Sequence, residues 1–300
     1  MPPAPACRSS ERTKRFLVLV ALLLPACGSE SPAPADRPSL TDLRPYESLV
    51  PAGYAPGTPT PLLILLHGYG STGRAQDSYF GLSTIVNQEG FLYAYPNGTA
   101  DLRGELFWNA TDACCNFFGS TVDDVAYINA IIDDMSGKYT VDPNRVFVVG
   151  HSNGGFMANR LGCDLAGRIA AFVSLAGATW NDPGRCVPAR PVNVLLLHGD
   201  ADTTIFYEGG QNAQRYPGAR TTAATWAAKN GCSGGLAPTG QAIDLEARIA
   251  GEETEIEATL GCPSSGAVEL WTIHGGGHVP DLSATFKTVV WGWLASHPRR

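Results

Sequence analysis

A serine hydroxyl becomes a working nucleophile when a histidine can take its proton and an acid holds that histidine in the right tautomer. The segment VFVVGHSNGGFMANRL, residues 146–161, offers such a serine. Ser152 lies at the abrupt end of an apolar run, between Gly150 and Gly154, and a helix-like pattern follows it. A turn that tight needs glycine two residues to either side, so that neighbouring backbone can come close. The bare pattern G-x-S-x-G is weak. Four β-favouring residues before it and a helical pattern after it give the strand–turn–helix context of a nucleophile elbow.

The base must come from six histidines. His67 and His198 each end an apolar run and precede a glycine, which suits backbone support. His151 adjoins the nucleophile, and His297 is in the tail. His278 stands in HGGGHVPD, a glycine-rich loop between the last strand and the last helix, from which it can reach over the sheet to Ser152. His274 is the reserve. The acid is expected on a loop after a late strand, and on this fold it precedes the histidine in the chain. GDADTTIFYEGG offers Asp200, Asp202 and Glu208. Asp202 is the choice, because the loop needs a residue or two beyond the strand before a side chain can swing toward the histidine, with Asp200 as the alternative. The negative oxygen of a tetrahedral intermediate needs backbone N–H groups aimed at it. Asn153, after the serine, and Tyr69, in the loop after LLILLHG, are the expected donors.

These residues need elements to position them. YESLVP reads as an edge strand and PLLILLHG as a strand buried on both faces. A helix around 75–88 should end at Gly90, and FLYAYPNG is the next strand. The long loop Gly98–Ser120 is rich in Asn, Cys and aromatics. VDDVAYINAIIDDMSGKY carries apolar residues at helix spacing, with Asp123 and Asp124 favouring its N-terminus. NRVFVVG, IAAFVSLAG, PVNVLLLHG and AVELWTIHG are strands, and helices are expected at Ser152–Leu165, over RTTAATWAAKNG and at Leu282–Ala295. Alternation of this kind implies an α/β fold, a mostly parallel central sheet with helices on both faces. Sites in such folds gather at the carboxyl ends of strands, where every candidate above lies.

The N-terminus reads as a targeting segment. Arg8, Arg12, Lys14 and Arg15 precede the apolar run Phe16–Leu24, which is too short to span a bilayer. LPAC then resembles a bacterial lipobox, with Cys27 as the lipidated residue; an ordinary cleaved signal peptide is the alternative. The expected organisation is a leader over 1–27, a Pro/Ser/Ala tether over 28–44 and one catalytic domain over 45–298. The implied location is extracytoplasmic, with the protein lipid-anchored or secreted. The net charge is −7, and residues 1–26 are net +3, so −10 remains on the rest. Such a surface argues against nucleic acid as a partner. An apolar fraction of 44% supports a real core.

Apart from Cys7 and Cys27 there are six cysteines, an even number in a chain read as exported. The expected pairs are Cys232–Cys262, closing one insertion, and Cys163–Cys186 at the base of the sheet. Cys114 and Cys115 are left as a vicinal pair or as partners elsewhere. No C-x-x-C or H-x-x-x-H spacing supports a metal site, and no cofactor is expected.

LLILLHGYGSTG, YAYPNGTA, FWNATDACC, VDDVAYINAII, VGHSNGGFMANRL, LLLHGDADTTIFYEGG and IHGGGH occur in this order. Together they resemble the poly(3-hydroxybutyrate) depolymerase and feruloyl esterase group, the esterase D-like, carbohydrate esterase family 1 branch of the α/β-hydrolases. The resemblance runs from Tyr46 to Pro298. It implies a triad of Ser152, Asp202 and His278, in agreement with the reading above. GGGHVPD departs from the group's usual continuation after GGGH, Thr-Trp-Pro-Gly. The expected activity is serine ester hydrolysis through an acyl-enzyme. Candidate substrates are feruloyl or acetyl esters or short hydroxyalkanoate esters, small or polymeric, handled by a monomer. Peptidase or acyl-transfer chemistry on the same triad is the alternative, and a non-catalytic binding lipoprotein is a third. Trp108, Trp180 and Tyr207 are the candidate substrate-binding aromatics, with Phe117, Phe118 and Phe206 beside them in the sequence.

Overall fold

A computed structural model describes residues 38–300. The leader, Cys27 and most of the tether lie outside the described residues. The described residues form one compact unit, Pro38–Arg300. Helix α1, Leu40–Leu43, starts from a capping box between Ser39 and Asp42. Arg44 then pairs with the buried Asp124 at 2.8 Å and ties this entry to the domain.

The strands are β1 Glu47–Leu49, β2 Thr60–Leu66, β3 Leu92–Tyr95, β4 Thr99–Ala100, β5 Leu106–Phe107, β6 Val141–His151 and β7 Ala171–Leu175. After them come β8 Asn193–Gly199, β9 Gly209–Gln211, β10 Arg215–Pro217, β11 Leu236–Ile243, β12 Thr254–Thr259 and β13 Val268–Ile273. Nine of these form one sheet in the order β1-β3-β2-β6-β7-β8-β13-β12-β11, while β4–β5 and β9–β10 are small hairpins. From β3 to β13 the pairing is parallel; β1 on one side and β12 and β11 on the other are antiparallel. The further helices are α2 Gly73–Phe80, α3 Val86–Glu89, α4 Asp124–Lys138, α5 Asn153–Asp164, α6 Ala219–Asn230 and α7 Phe286–Ser296.

All seven residues of β2 are buried, and their alternation splits the core. Leu62, Ile64 and Leu66 join Ile131 of α4, Met157 of α5 and Trp226 of α6. Leu63 and Leu65 join Phe80 of α2 with Phe286 and Trp291 of α7 on the other face. Each buried leucine contributes about 1.5–3 kcal/mol, so the two faces fix the register of the strand that carries His67 and Tyr69 at its end.

Three expectations on elements change. The helix expected over 75–88 breaks at Gly81, whose φ of 69° caps α2 in the left-handed region; a 3-10 turn and the short α3 follow. The last helix begins at Phe286, later than Leu282. The insertion before β13 supplies two sheet strands, β11 and β12, that the sequence pattern does not announce. Strand β11 contains Pro238 and Gly240 and is half exposed, so it shows neither alternation nor a buried run. Cys232–Cys262 ties the two ends of that insertion, Cys163–Cys186 forms the second expected pair, and Cys114 bonds its neighbour Cys115.

Candidate active site

Ser152 follows the last residue of β6 and serves as N-cap of α5, with φ 53° and ψ −119°. A side chain at positive φ is strained by roughly 1–3 kcal/mol, and the surroundings hold it there. Ser152 N–H donates to the Leu175 carbonyl at 2.8 Å, and the Ser152 carbonyl accepts from Phe156 N–H at 2.9 Å. A Cβ on Gly150 would run into the Gly154 carbonyl, and one on Gly154 into the Leu66 carbonyl. Both glycines are therefore required by close backbone approach, as the elbow reading expects.

His278 comes over the sheet to meet this serine. Its Nε2 is 2.9 Å from Ser152 Oγ, and its Nδ1 is 2.7 Å from Asp202 Oδ2. With Nδ1–H donating to the carboxylate, Nε2 is left free to accept the serine proton. The other oxygen of Asp202 is pinned, since Oδ1 accepts from Thr204 N–H at 2.7 Å and Ile205 N–H at 2.9 Å. Burial alone would raise this carboxyl. The nearby His198, 3.4 Å away, and the hydrogen bonds from His278 and the Thr204 and Ile205 N–H groups outweigh it and hold Asp202 well below the usual carboxylate range.

Asp200 and His274, the alternatives, form a different pair. His274 Nδ1 meets Asp200 Oδ2 at 2.8 Å, and Asp200 Oδ1 accepts from Gly275 N–H at 2.6 Å. This exposed pair fastens the start of the loop that carries His278. Three glycines give that loop no side chains of its own to pack. Two residues that sequence reasoning missed hold its far end. His151 Nε2–H donates to the His278 carbonyl at 2.8 Å, and the Tyr79 hydroxyl donates to the Pro280 carbonyl at 2.6 Å. They are 127 and 201 positions from their acceptors, so no local pattern signals them.

The loop after β2 faces the same cleft. Gly70, at φ 73°, donates its N–H to the Leu106 carbonyl at 2.8 Å, and Gly68 N–H donates to Gln76 Oε1 at 3.2 Å. The Tyr69 peptide is fixed between them. Among the described residues, neither Tyr69 N–H nor Asn153 N–H has an acceptor. The Tyr69 ring is turned aside. Its hydroxyl donates to Asp101 at 2.6 Å, and that bond pushes its pKa up to about 12. The Asn153 amide braces the backbone of Trp108, Oδ1 accepting from N–H at 2.7 Å and Nδ2 donating to the carbonyl at 3.0 Å.

The cleft beside Ser152 holds about 320 Å³ and is walled by α2, the Tyr69 loop, His151, His278 and Val279. The three candidate aromatics do not line it. Trp108 is fully buried, because its indole N–H finds its acceptor inward, at the His67 carbonyl 3.0 Å away. Tyr207 stands behind the acid, its hydroxyl hydrogen-bonded to Thr272 Oγ1 at 2.8 Å and its ring against His198. Trp180 lines two separate polar cavities of about 580 and 590 Å³.

Two buried histidines around the site are held neutral. Burial pushes His67 and His151 down to about 4 from an ordinary 6.5. His67 has both nitrogens committed, Nδ1–H donating to the Gly68 carbonyl at 2.7 Å and Nε2 accepting from Gly98 N–H at 2.9 Å. The unfolded chain takes up protons below pH 6.5 that the folded state refuses until about pH 4. Stability is therefore full above 6.5 and falls with acid through that window, by roughly 3 kcal/mol per histidine. His274 is raised by its bond to Asp200 and acts in the opposite sense, but it is half exposed and its effect is screened. The urea midpoint should be clearly lower at pH 4.5 than at pH 7.5, and His67→Asn should narrow that gap. Equal midpoints in the wild type would contradict the neutral burial.

No protein-family model matches the chain. Feruloyl esterase B of Piromyces equi is 31% identical over 237 residues, which cover 76% of this chain and 41% of that protein. The chain thus spans about two-fifths of that relative. Feruloyl esterase C of Emericella nidulans is 28% identical over 222 residues, covering 69% of this chain and 72% of the relative. Among solved structures, the acetyl xylan esterase from Aspergillus awamori superposes with a TM-score of 0.57 at 19% identity, covering 83% of this chain and 93% of that one. The fold is that of the α/β-hydrolases.

Proposed function

We propose that this chain is a serine carboxylic-ester hydrolase working through an acyl-enzyme, with acyl esters of plant polysaccharide, feruloyl or acetyl, as its substrates. The observation that carries the reading is the continuous hydrogen-bond relay from Ser152 through His278 to Asp202, set beside two N–H groups without acceptors. The relatives named feruloyl esterase and the neighbour named acetyl xylan esterase support the substrate class. A cleft of about 320 Å³ has room for a small aromatic or acetyl acyl group.

In this mechanism Ser152 Oγ attacks the ester carbonyl as its proton passes to His278 Nε2. Asp202 stabilises the imidazolium that forms. The carbonyl oxygen, now negative, accepts from Tyr69 N–H and Asn153 N–H, groups already in place before the reaction begins. His278 gives its proton to the departing alcohol and leaves an acyl-Ser152 ester. Water then attacks that ester as His278 takes its proton, and His278 returns that proton to Ser152 Oγ as the acid is released.

The test is a panel of methyl ferulate, acetylated xylan, p-nitrophenyl acetate and hydroxybutyrate oligomers, run on purified protein beside Ser152→Ala. Turnover of ferulate or xylan acetate that vanishes in the variant is the expected result. A wild-type preference for hydroxybutyrate oligomers would replace the substrate class and leave the mechanism. Folded protein that turns over none of them would overturn the hydrolase reading.

A further inference from the structure

Among the described residues, the stretch Gly277–Val279 takes part in no backbone–backbone hydrogen bond. The chain is fastened on either side of it. The Gly276 carbonyl accepts from Ala201 N–H at 3.0 Å, and Asp281 N–H donates to Glu246 Oε2 at 2.6 Å. Between those points the chain carries the base, His278, directly after three glycines. A single hydrogen bond reaches the backbone of Gly277–Val279. It ends on the His278 carbonyl, and His151 Nε2–H donates it at 2.8 Å.

His151 is a fixed donor. It is the last residue of β6, paired with Leu175 of β7, and it directly precedes Ser152. It is 7% exposed, and its ring rests against those of Tyr79 and Phe80, with centroids 5.7 and 6.4 Å away. The carbonyl it meets can only accept, so its proton is on Nε2. Burial and the neighbouring His278 keep a second proton off it. That neutrality matters, because the His278 ring lies 5.1 Å away between centroids and becomes a cation at each proton transfer. A charged donor in this place would oppose that step.

The bond thus joins the two reacting groups. The nucleophile follows His151 in the chain, and the peptide of the base is held by the His151 side chain. Asp202 orients the His278 ring at Nδ1. The 2.9 Å span from Nε2 to Ser152 Oγ depends in addition on where the peptide behind the ring stands. We propose that His151 is a positioning residue for the base. Its Nε2–H sets the span between His278 and Ser152, and through it the rate of proton transfer. This inference rests on the ester-hydrolase reading.

His151→Gln and His151→Met test it on p-nitrophenyl acetate and methyl ferulate beside wild type. Glutamine carries an N–H near the place of His151 Nε2; methionine has the same length and no donor. Turnover is counted per site titrated with a fluorophosphonate, so that unfolded protein does not enter. In the methionine variant kcat should fall by about 10–100-fold, the scale of a misplacement of about 1 Å. KM should move by less than about threefold, since His151 gives the cleft little surface. Glutamine should bring kcat back to within about threefold of wild type. His151→Phe, which keeps a ring and drops both nitrogens, is the second variant without a donor and should behave as methionine does. A packing role alone would not separate glutamine from methionine. Variants with and without the donor whose kcat values agree within about threefold would therefore overturn the role of His151 and leave the hydrolase reading standing. So would a methionine variant whose loss lies in KM with kcat kept. A wild-type protein that turns over neither ester would overturn that reading and this inference with it.

Discussion

Ester turnover by the Ser152→Ala protein is expected to fall by about 10⁴–10⁶-fold in kcat, to the level that the remaining site supports without a nucleophile. The fold should be untouched. Alanine carries the same Cβ as serine, so the turn at φ 53° is neither more nor less strained. The two N–H groups of Tyr69 and Asn153 stay where they are, because Gly68 and Gly70 on one side and the Trp108 backbone on the other hold them independently of the hydroxyl. A thermal melt within a degree or two of wild type, with kcat lost and a fluorophosphonate probe no longer attached, is the expected combination. Retention of a tenth of the wild-type rate would mean that another group does the chemistry.

Asp202→Asn should cost about 10⁴-fold in kcat with KM changed little. The reason lies in the turn around Asp202. Oδ1 already accepts from two backbone N–H groups, of Thr204 and Ile205. In the variant the amide oxygen must stay there, since an amide nitrogen facing two donors would leave three groups unsatisfied. The NH₂ is then directed at His278 Nδ1, which can only accept from it. His278 is driven into the tautomer with its proton on Nε2, where it faces Ser152 as a donor and cannot act as a base. Asp202 is buried behind the histidine and does not line the cleft, so binding should survive. Asp200→Asn is the control, with kcat within about threefold of wild type, because Asp200 pairs with His274 at the surface. A reversed order of the two effects would assign the acid to Asp200.

The chain shows unevenly what can be read before folding. Gly150, Ser152 and Gly154 were legible because their requirement is local: a strand that turns into a helix within two residues leaves no room for Cβ atoms, whatever surrounds it. The buried strands were legible for a similar reason. A segment covered on both faces must be apolar throughout, as β2 and β8 are. Strands β11 and β12 were not: β11 is a half-exposed edge strand with a mid-strand proline and glycine, and β12, though paired on both sides, carries polar residues at four of its six positions. Among the aromatics, residue type gave a candidate list and nothing more. Whether Trp108 faces the cleft or the core depends on where its N–H finds an acceptor, and that acceptor is the carbonyl of His67, 41 positions away.

The sequence by itself determined the elbow, the chain order of Ser152, Asp202 and His278, and the α/β alternation that brings them to the carboxyl ends of the strands. These follow from sterics and periodicity within a few residues. Only the tertiary structure decided that Asp202 and not Asp200 faces His278, and that His151 and Tyr79 hold the glycine loop in place. Each of those depends on where hydrogen-bond partners distant in the chain come to rest, and a buried polar group takes its meaning from the partners it meets.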